Sequence, residues 1–178
     1  MTSPTPPTQQ DQPLTDPVAE RELAAFIGPQ WPVYRKKFAP FLSDPGFVPT
    51  WNWPAALVPF GAWFLYRKML VPFFLFWLGP GIAQYYIQGK DAATATEPDP
   101  LALGVMLSMA ITAGGTGNYL LYRRAQAARQ LVAARRLPTA EADAELARIG
   151  GVNRGAIWIG VVLMILSALA RYMAGGLG

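Results

Sequence analysis

Side chains able to carry nucleophilic, acid–base or metal chemistry are few in this chain of 178 residues, which holds no Cys and no His. Thiolate zinc sites, iron–sulfur clusters and thiol nucleophiles are thereby removed, as are the commonest general base and the commonest metal or haem ligand. The closest-set carboxylates, Glu141, Asp143 and Glu145, read as the early turns of a surface helix. No nucleophile, metal set or phosphate loop stands beside them. Gly28 with Pro29 and Gly150 with Gly151 read as helix stops, not phosphate cradles. The chain is expected to be no enzyme, with no metal and no cofactor held by a dedicated ligand.

Basic groups are the remaining chemistry. Lys plus Arg number 15 against 11 Asp plus Glu, a net charge of +4, and they are bunched: Arg35, Lys36 and Lys37; Arg67 and Lys68; then Arg123, Arg124, Arg129, Arg135, Arg136, Arg148 and Arg154. The run RRAQAARQLVAARR has no aromatic residues on which bases could stack, so no nucleic-acid partner is expected. The alternatives are contact with lipid headgroups and retention of these groups on one side of a membrane.

The elements that would position these groups are apolar. Hydrophobic residues make up 52% of the chain and charged residues 15%, against about a quarter charged in ordinary soluble domains. The stretches 69–87, 101–121 and 156–173, uncharged but for Arg171 snorkelling near the end of the last, are read as three transmembrane helices. Pro72, Pro80 and Gly81 are expected to bend or break the first. The apolar stretch Trp51–Tyr66 is too short to span comfortably and holds Pro54 and Pro59; residues 51–68 are read as interfacial or re-entrant. The fold class expected is all-α: an integral membrane protein with three transmembrane helices and short amphipathic or re-entrant helices on the cytoplasmic side.

Charge sets the expected orientation. The segment 88–100 holds Lys90 against Asp91, Glu97 and Asp99, whereas the segment 122–155 holds seven Arg. The latter belongs in the cytoplasm by the positive-inside rule. The N-terminus then lies in the cytoplasm and the C-terminal residues 174–178 in the periplasm of a bacterial inner membrane. Residues 1–15 are Pro, Thr, Gln and Ser, read as an extended tail, and no secretory signal begins the chain. Within 16–50, Asp16 and Pro17 open a short helix that Gly28 and Pro29 stop, and a second stretch from Gln30 to Leu42 interleaves cations with Trp31, Tyr34, Phe38 and Phe41. Residues 122–155 read as a helical hairpin, the first helix running until Pro138 and the second capped by Thr139.

Within the spans, Gly104, Ser108 and Thr112 recur at four-residue spacing and would let helix backbones approach closely, with Gly114 and Gly115 nearby. Whether they meet another span of this chain or another subunit stays open. No intramembrane carboxylate, Lys or His marks a transport pathway; Gln84, Thr116 and Asn118 are the most polar residues there and are read as hydrogen-bonding groups. The aromatics Trp31, Tyr34, Trp51, Trp53, Trp63, Tyr66 and Tyr122, with Tyr85 and Tyr86 opposite, fit interfacial belts. Phe73, Phe74, Phe76 and Trp77 offer flat faces for lipid, bacteriochlorophyll or carotenoid contacts.

Residues 51–70, WNWPAALVPFGAWFLYRKML, resemble a phrase close to FNWAAFLFGPLWLLYRKMY in a bacterial family of small membrane proteins of unknown function. The matching positions are Asn52, Trp53, Ala55, Ala56, Phe60, Trp63, Leu65, Tyr66, Arg67, Lys68 and Met69, preceded by Phe26, Ile27, Gly28, Tyr34 and Phe38. Trp51 stands where the family commonly has Phe. Pro54 and Pro59 depart from its pattern, which implies a more broken local helix. The resemblance covers residues 24–70 and implies architecture, with no reaction attached. With the chain's size it implies a structural accessory subunit whose partners are other membrane-complex subunits and lipids. A photosynthetic reaction centre–light-harvesting complex is the first assembly expected. A respiratory complex is the alternative, and a free-standing membrane regulator or lipid-binding protein the second alternative.

Overall fold

Asp16 caps the first helix as its type and place require: its Oδ1 accepts from Val18 N at 2.9 Å, and Pro17 occupies the first turn, where a missing N–H matters least. The structure, a computed structural model, describes residues 16–43, 46–58, 61–88 and 100–175. The expected tail 1–15, Pro59, most of the 88–100 segment including Lys90, Asp91, Glu97 and Asp99, and residues 176–178 lie outside them.

Every regular element among the described residues is helical: α1 (Pro17–Ile27), a single 3-10 turn (Gly28–Gln30), α2 (Trp31–Ser43), α3 (Trp53–Leu57), α4 (Ala62–Tyr66), α5 (Leu70–Gln88), α6 (Pro100–Ala134), α7 (Thr139–Ile149) and α8 (Gly155–Gly175). Two of these are long and apolar enough to cross a membrane, α5 over Leu70–Ile87 and α6; α8 carries a shorter apolar stretch, Trp158–Leu169. α5 continues as one helix through Pro80. Pro72 sits in its first turn, where backbone N–H groups have no intrahelical partner.

The chain divides into two compact units, one of residues 1–48 with 122–151 and one of residues 49–121 with 152–178. The first is built like a small soluble domain. α1 buries Ala19, Leu23 and Phe26, α2 buries Tyr34, Phe38 and Phe41, α6 buries Ala125, Ala128 and Val132, and α7 buries Leu146. The sets on α1, α2 and α6 repeat every three or four residues and so each lies on one helix face. The Tyr122 ring packs at 5.4 Å from Phe38 and 5.2 Å from Phe41. Ion pairs seal the rim: Arg35 with Glu20 at 2.6 Å, Arg129 with Glu22 at 2.7 Å, Arg21 with Asp143 at 3.4 Å and Arg135 with Glu145 at 2.7 Å. Gly150 runs so close to the Phe26 carbonyl that a Cβ there would overlap it, and Gly151 N donates to Phe26 O at 2.8 Å.

Residues 16–43 and 122–149 thus build one core, whereas the sequence reads as separate interface helices and a self-contained hairpin. The rings of α2 face Tyr122 because burial of each aromatic ring contributes about 1.5–3 kcal/mol. Two local expectations are corrected. Pro138, not Thr139, is the residue preceding the first turn of α7, and no side chain caps that end. α6 stops at Ala134, four residues before Pro138, because Arg136 adopts a left-handed conformation with φ 51°.

Candidate functional site

The second unit buries polar groups in an otherwise apolar setting. Asn52 precedes α3 in extended conformation, and its Oδ1 accepts from Ala55 N at 3.1 Å, an N-cap reinforced by Pro54. Its Nδ2 donates to Oδ1 of Asn118 at 2.8 Å, and its backbone N–H donates to the Gly114 carbonyl at 2.9 Å. Asn118 Nδ2 donates in turn to Thr50 O and Thr50 Oγ1, both at 3.1 Å, and to Trp51 O at 3.2 Å. Both amides are essentially inaccessible to solvent. A buried amide without partners costs several kcal/mol, so this closed network fixes where α3 meets α6.

Small residues let that meeting happen. A Cβ on Gly114 would lie 2.9 Å from Ala56 Cβ and from the Trp51 ring, and one on Gly117 would lie 2.9 Å from Ala55 Cβ and 3.3 Å from Trp63. α4 is seated the same way on its other sides. Gly61, at φ 66°, brings the chain against Phe76, while a Cβ on Gly160 of α8 would lie 3.1 Å from Ala62 Cβ. Phe64 stacks on Phe76 at 4.9 Å and 5°, and Trp63 meets Phe64 edge-on. α3 and α4 therefore form a wedge, α3 along α6 and α4 against α5 and α8, five-residue helices of about 7.5 Å each.

The wedge ends in a helix stop that carries charge. Lys68 N donates to Leu65 O at 2.9 Å and Met69 N to Phe64 O at 2.7 Å, a Schellman arrangement with Lys68 in the left-handed position at φ 58°. Glycine is the usual occupant there. Arg67 beside it is 2% exposed, its guanidinium 5.9 Å from the Tyr66 ring centre.

No family model, no curated protein and no solved structure matches the chain. Its own geometry must therefore sort the residues that the sequence singles out.

Of the pigment or lipid faces, Phe73 and Phe76 are buried within the unit, Phe73 stacked on Trp77 at 5.7 Å, whereas Phe74 is 47% exposed. The flat faces expected of Phe73 and Phe76 are occupied by the chain's own rings, since aromatic residues every three or four positions on α5 fall on the side where α4 packs. Of the helix-packing residues, Gly104, Ser108 and Thr112 are exposed, and a Cβ on Gly104 would meet nothing within 4 Å. Ser108 Oγ donates to Gly104 O and Thr112 Oγ1 to Ser108 O, both at 2.8 Å, so the hydroxyls are satisfied inside α6. On α6 the glycines packed against other parts of the chain are Gly114 and Gly117, with Gly115 open.

Of the basic residues, Arg35 and Arg135 are consumed in ion pairs and Arg124 Nη2 donates to Ile149 O at 3.3 Å, its burial lowering its pKa. Lys37 lies 5.7 Å from the Tyr34 ring and burial lowers its pKa as well. Lys36, Arg123 and Arg136 are exposed. The interfacial aromatics divide likewise: Tyr34, Trp63 and Tyr122 are core, while Trp53, Tyr85 and Tyr86 are exposed. Among the described residues no group of three carboxylates could hold a metal ion.

In the sequence Asn52 stands out only as a position of the family phrase, and nothing marks Gly117 or the Ala62–Gly160 approach. Asn-Trp-Pro is a readable cap signal for α3, but its partner Asn118 lies 66 residues away.

Proposed function

We propose that this chain is an integral membrane protein of the bacterial inner membrane, crossing three times through α5, the Pro100–Leu121 part of α6, and α8. The N-terminus and the Arg-rich 122–155 segment lie in the cytoplasm and the C-terminal end in the periplasm. Its role is structural: an accessory subunit, not an enzyme, presenting apolar helix faces to neighbouring subunits and lipid. The carrying observation is that α5, α6 and α8 expose Val71, Leu75, Leu107, Ile111, Trp158 and Ile165, while the polar network of the wedge is closed on itself. Such exposure is unfavourable in water and neutral in lipid.

In this reading the wedge is re-entrant and shallow. Gly114 precedes Arg123 by nine residues, Phe76 follows Lys68 by eight and Gly160 follows Arg154 by six. At 1.5 Å per residue these three helices agree on a depth of about 9–14 Å. Irregular backbone is tolerated there because it is enclosed by protein. The exposed Gly104, Ser108 and Thr112 stripe is the surface offered to a partner subunit, and Phe74 the aromatic face left for lipid, bacteriochlorophyll or carotenoid. The assembly we favour, from the chain's size and membrane architecture, is a photosynthetic reaction centre–light-harvesting complex, with a respiratory complex as its competitor and a free-standing membrane regulator or lipid-binding protein as the second alternative.

A chain without Cys gives labelling no background. Single cysteines at Lys36 and Arg136 should react with an impermeant maleimide only after lysis, and one at Glu97 in intact spheroplasts. Labels on opposite faces at Lys36 and Arg136 would sink the topology. Gentle detergent extraction should recover the chain in fixed stoichiometry with pigment–protein subunits; elution alone would overturn the accessory-subunit reading.

A further inference from the structure

We propose that Trp77, Gly81 and Gln84 of α5 form a binding site for the ring of an isoprenoid para-quinone. The Trp77 ring is stacked on buried Phe73 at 5.7 Å and 10°, with Phe74 alongside at 6.1 Å. Side chains on a helix lean toward its N-terminus, so the residue that would cover the far face of Trp77 is the one four places on. That residue is Gly81, where a Cβ would meet nothing within 4 Å, whereas a Cβ on Gly79 would already lie 3.3 Å from Met109 Cε of α6. The stack of rings therefore ends in an opening one side chain wide.

Two polar groups border that opening. Trp77 and Gln84, seven residues apart, share one face of α5, and both are half-buried. Neither the indole N–H nor the amide is hydrogen-bonded to a described residue. Trp77 comes nine residues and Gln84 sixteen after Lys68. At 1.5 Å per residue they lie about 14 and 24 Å from the level of Lys68, within a hydrocarbon core of about 30 Å. A donor without an acceptor is costly at such a depth, and the usual place of tryptophan is the interface. The esters and phosphates of phospholipids stay at that interface, out of reach of Trp77.

A quinone supplies what is missing. Its single ring is flat and fits over the open face of Trp77, and its two carbonyls accept hydrogen bonds at opposite edges, one from Trp77 and one from Gln84. Leu78 and Ile82 are exposed beside the opening, apolar surface for the isoprenoid tail to cover. A tetrapyrrole macrocycle exceeds the gap left by one absent side chain, and a hydrocarbon carotenoid carries no acceptor. The site rests on the membrane reading above, since only in lipid is the Trp77 donor deprived of water.

The test titrates the intact protein in mild detergent with decylubiquinone and counts adducts by native mass spectrometry. Wild type should saturate at one molecule per chain. W77F keeps an aromatic ring and loses the N–H, and should weaken binding about fivefold, as should Q84L. G81L, which fills the opening, should abolish saturable binding. The control W158F, on α8, should bind as wild type does. Linear uptake without saturation by wild type, or equal binding by wild type, W77F and Q84L, overturns the site. Bacteriochlorophyll a binding in place of decylubiquinone, with the same loss in W77F, overturns the quinone as its occupant. Carbonate washing of membranes separates the two claims: release of the chain would sink the membrane reading, whereas a retained chain that takes up decylubiquinone without saturation would sink only this one.

Discussion

Asn52 and Asn118, 66 residues apart, share a 2.8 Å hydrogen bond, and both amides also bond backbone groups of the 50–55 stretch. Asn52 caps α3 and Asn118 binds the Thr50 and Trp51 carbonyls, so one side-chain contact holds the α3 wedge to α6. In an apolar unit such a pair acts as a locating device. Shifting α3 by one residue would leave several buried polar groups without partners.

Replacing Asn118 with Leu keeps the volume and removes the network. The Asn52 amide and two carbonyls lose their partner, and stability should fall by about 1–3 kcal/mol. Thermal unfolding of the full chain in detergent measures it. A double-mutant cycle with Asn52→Ala should return a coupling near 0.6 kcal/mol and no more than about 1.7, the range for side-chain pairs between membrane helices. A coupling of zero would mean that the two amides act independently.

A second prediction concerns Glu145, which accepts from Arg148 and Arg135 at 2.7 Å. The hydrogen bond from Arg148 above all holds its pKa down to about 2, below the value of about 4.3 expected in an unfolded chain. A carboxylate depressed on folding contributes stability above its unfolded value and loses it as pH falls toward the folded one. Wild type should therefore exceed Glu145→Gln in melting temperature at neutral pH, the gap closing between about pH 4.5 and pH 2. A gap constant across that window would show that the ion pairs are energetically idle. Because all three groups are near the surface, added salt should shrink the gap.

The third prediction is stabilising. Arg136 ends α6 in the left-handed region with its N–H on the Ala133 carbonyl at 3.1 Å. Non-glycine residues pay about 1–2 kcal/mol for that conformation, part of which glycine returns as greater freedom of the unfolded chain. Arg136→Gly should raise the unfolding free energy by about 0.5–1 kcal/mol, whereas Arg136→Val should lower it.

How much of this was readable without coordinates follows from range. α1 was legible at both ends because Asp16, Pro17, Gly28 and Pro29 are local punctuation, and all-helical architecture followed from the long apolar runs. The contact of Phe38 and Phe41 with Tyr122 joins residues more than 80 positions apart, and nothing local distinguishes an aromatic facing lipid from one facing Tyr122. The same limit separated Phe74 from Phe73 and Phe76: all four aromatics of that run invite flat ligands until α4 is known to occupy one side. Asn118 was recognised as a hydrogen-bonding group, yet its partner depended on a wedge whose course Pro54 and Pro59 obscure. Thr139 invites reading as a cap because its residue type fits, whereas α7 starts one residue earlier, with Pro138 at the cap position.

The glycines of α6 give the sharpest contrast, since they differ in surroundings and share a helix. Gly117 has Ala55 and Trp63 against it, and Gly114 has Ala56 and Trp51. Gly117→Leu must push α3 away and break the Asn52–Asn118 contact with it, so a loss of about 1–3 kcal/mol is expected. Gly115 has nothing within 4 Å of a Cβ, and Gly115→Ala should gain up to about 1 kcal/mol from helix propensity alone. Gly104 is as open as Gly115 in the isolated chain, so Gly104→Leu should likewise leave its melting temperature intact. If the Gly104, Ser108 and Thr112 face serves a neighbouring subunit, however, that leucine will intrude on a close helix approach, and recovery of the chain with its assembly should fall while its own stability does not. Gly104→Leu with undiminished recovery would show that this face meets only lipid.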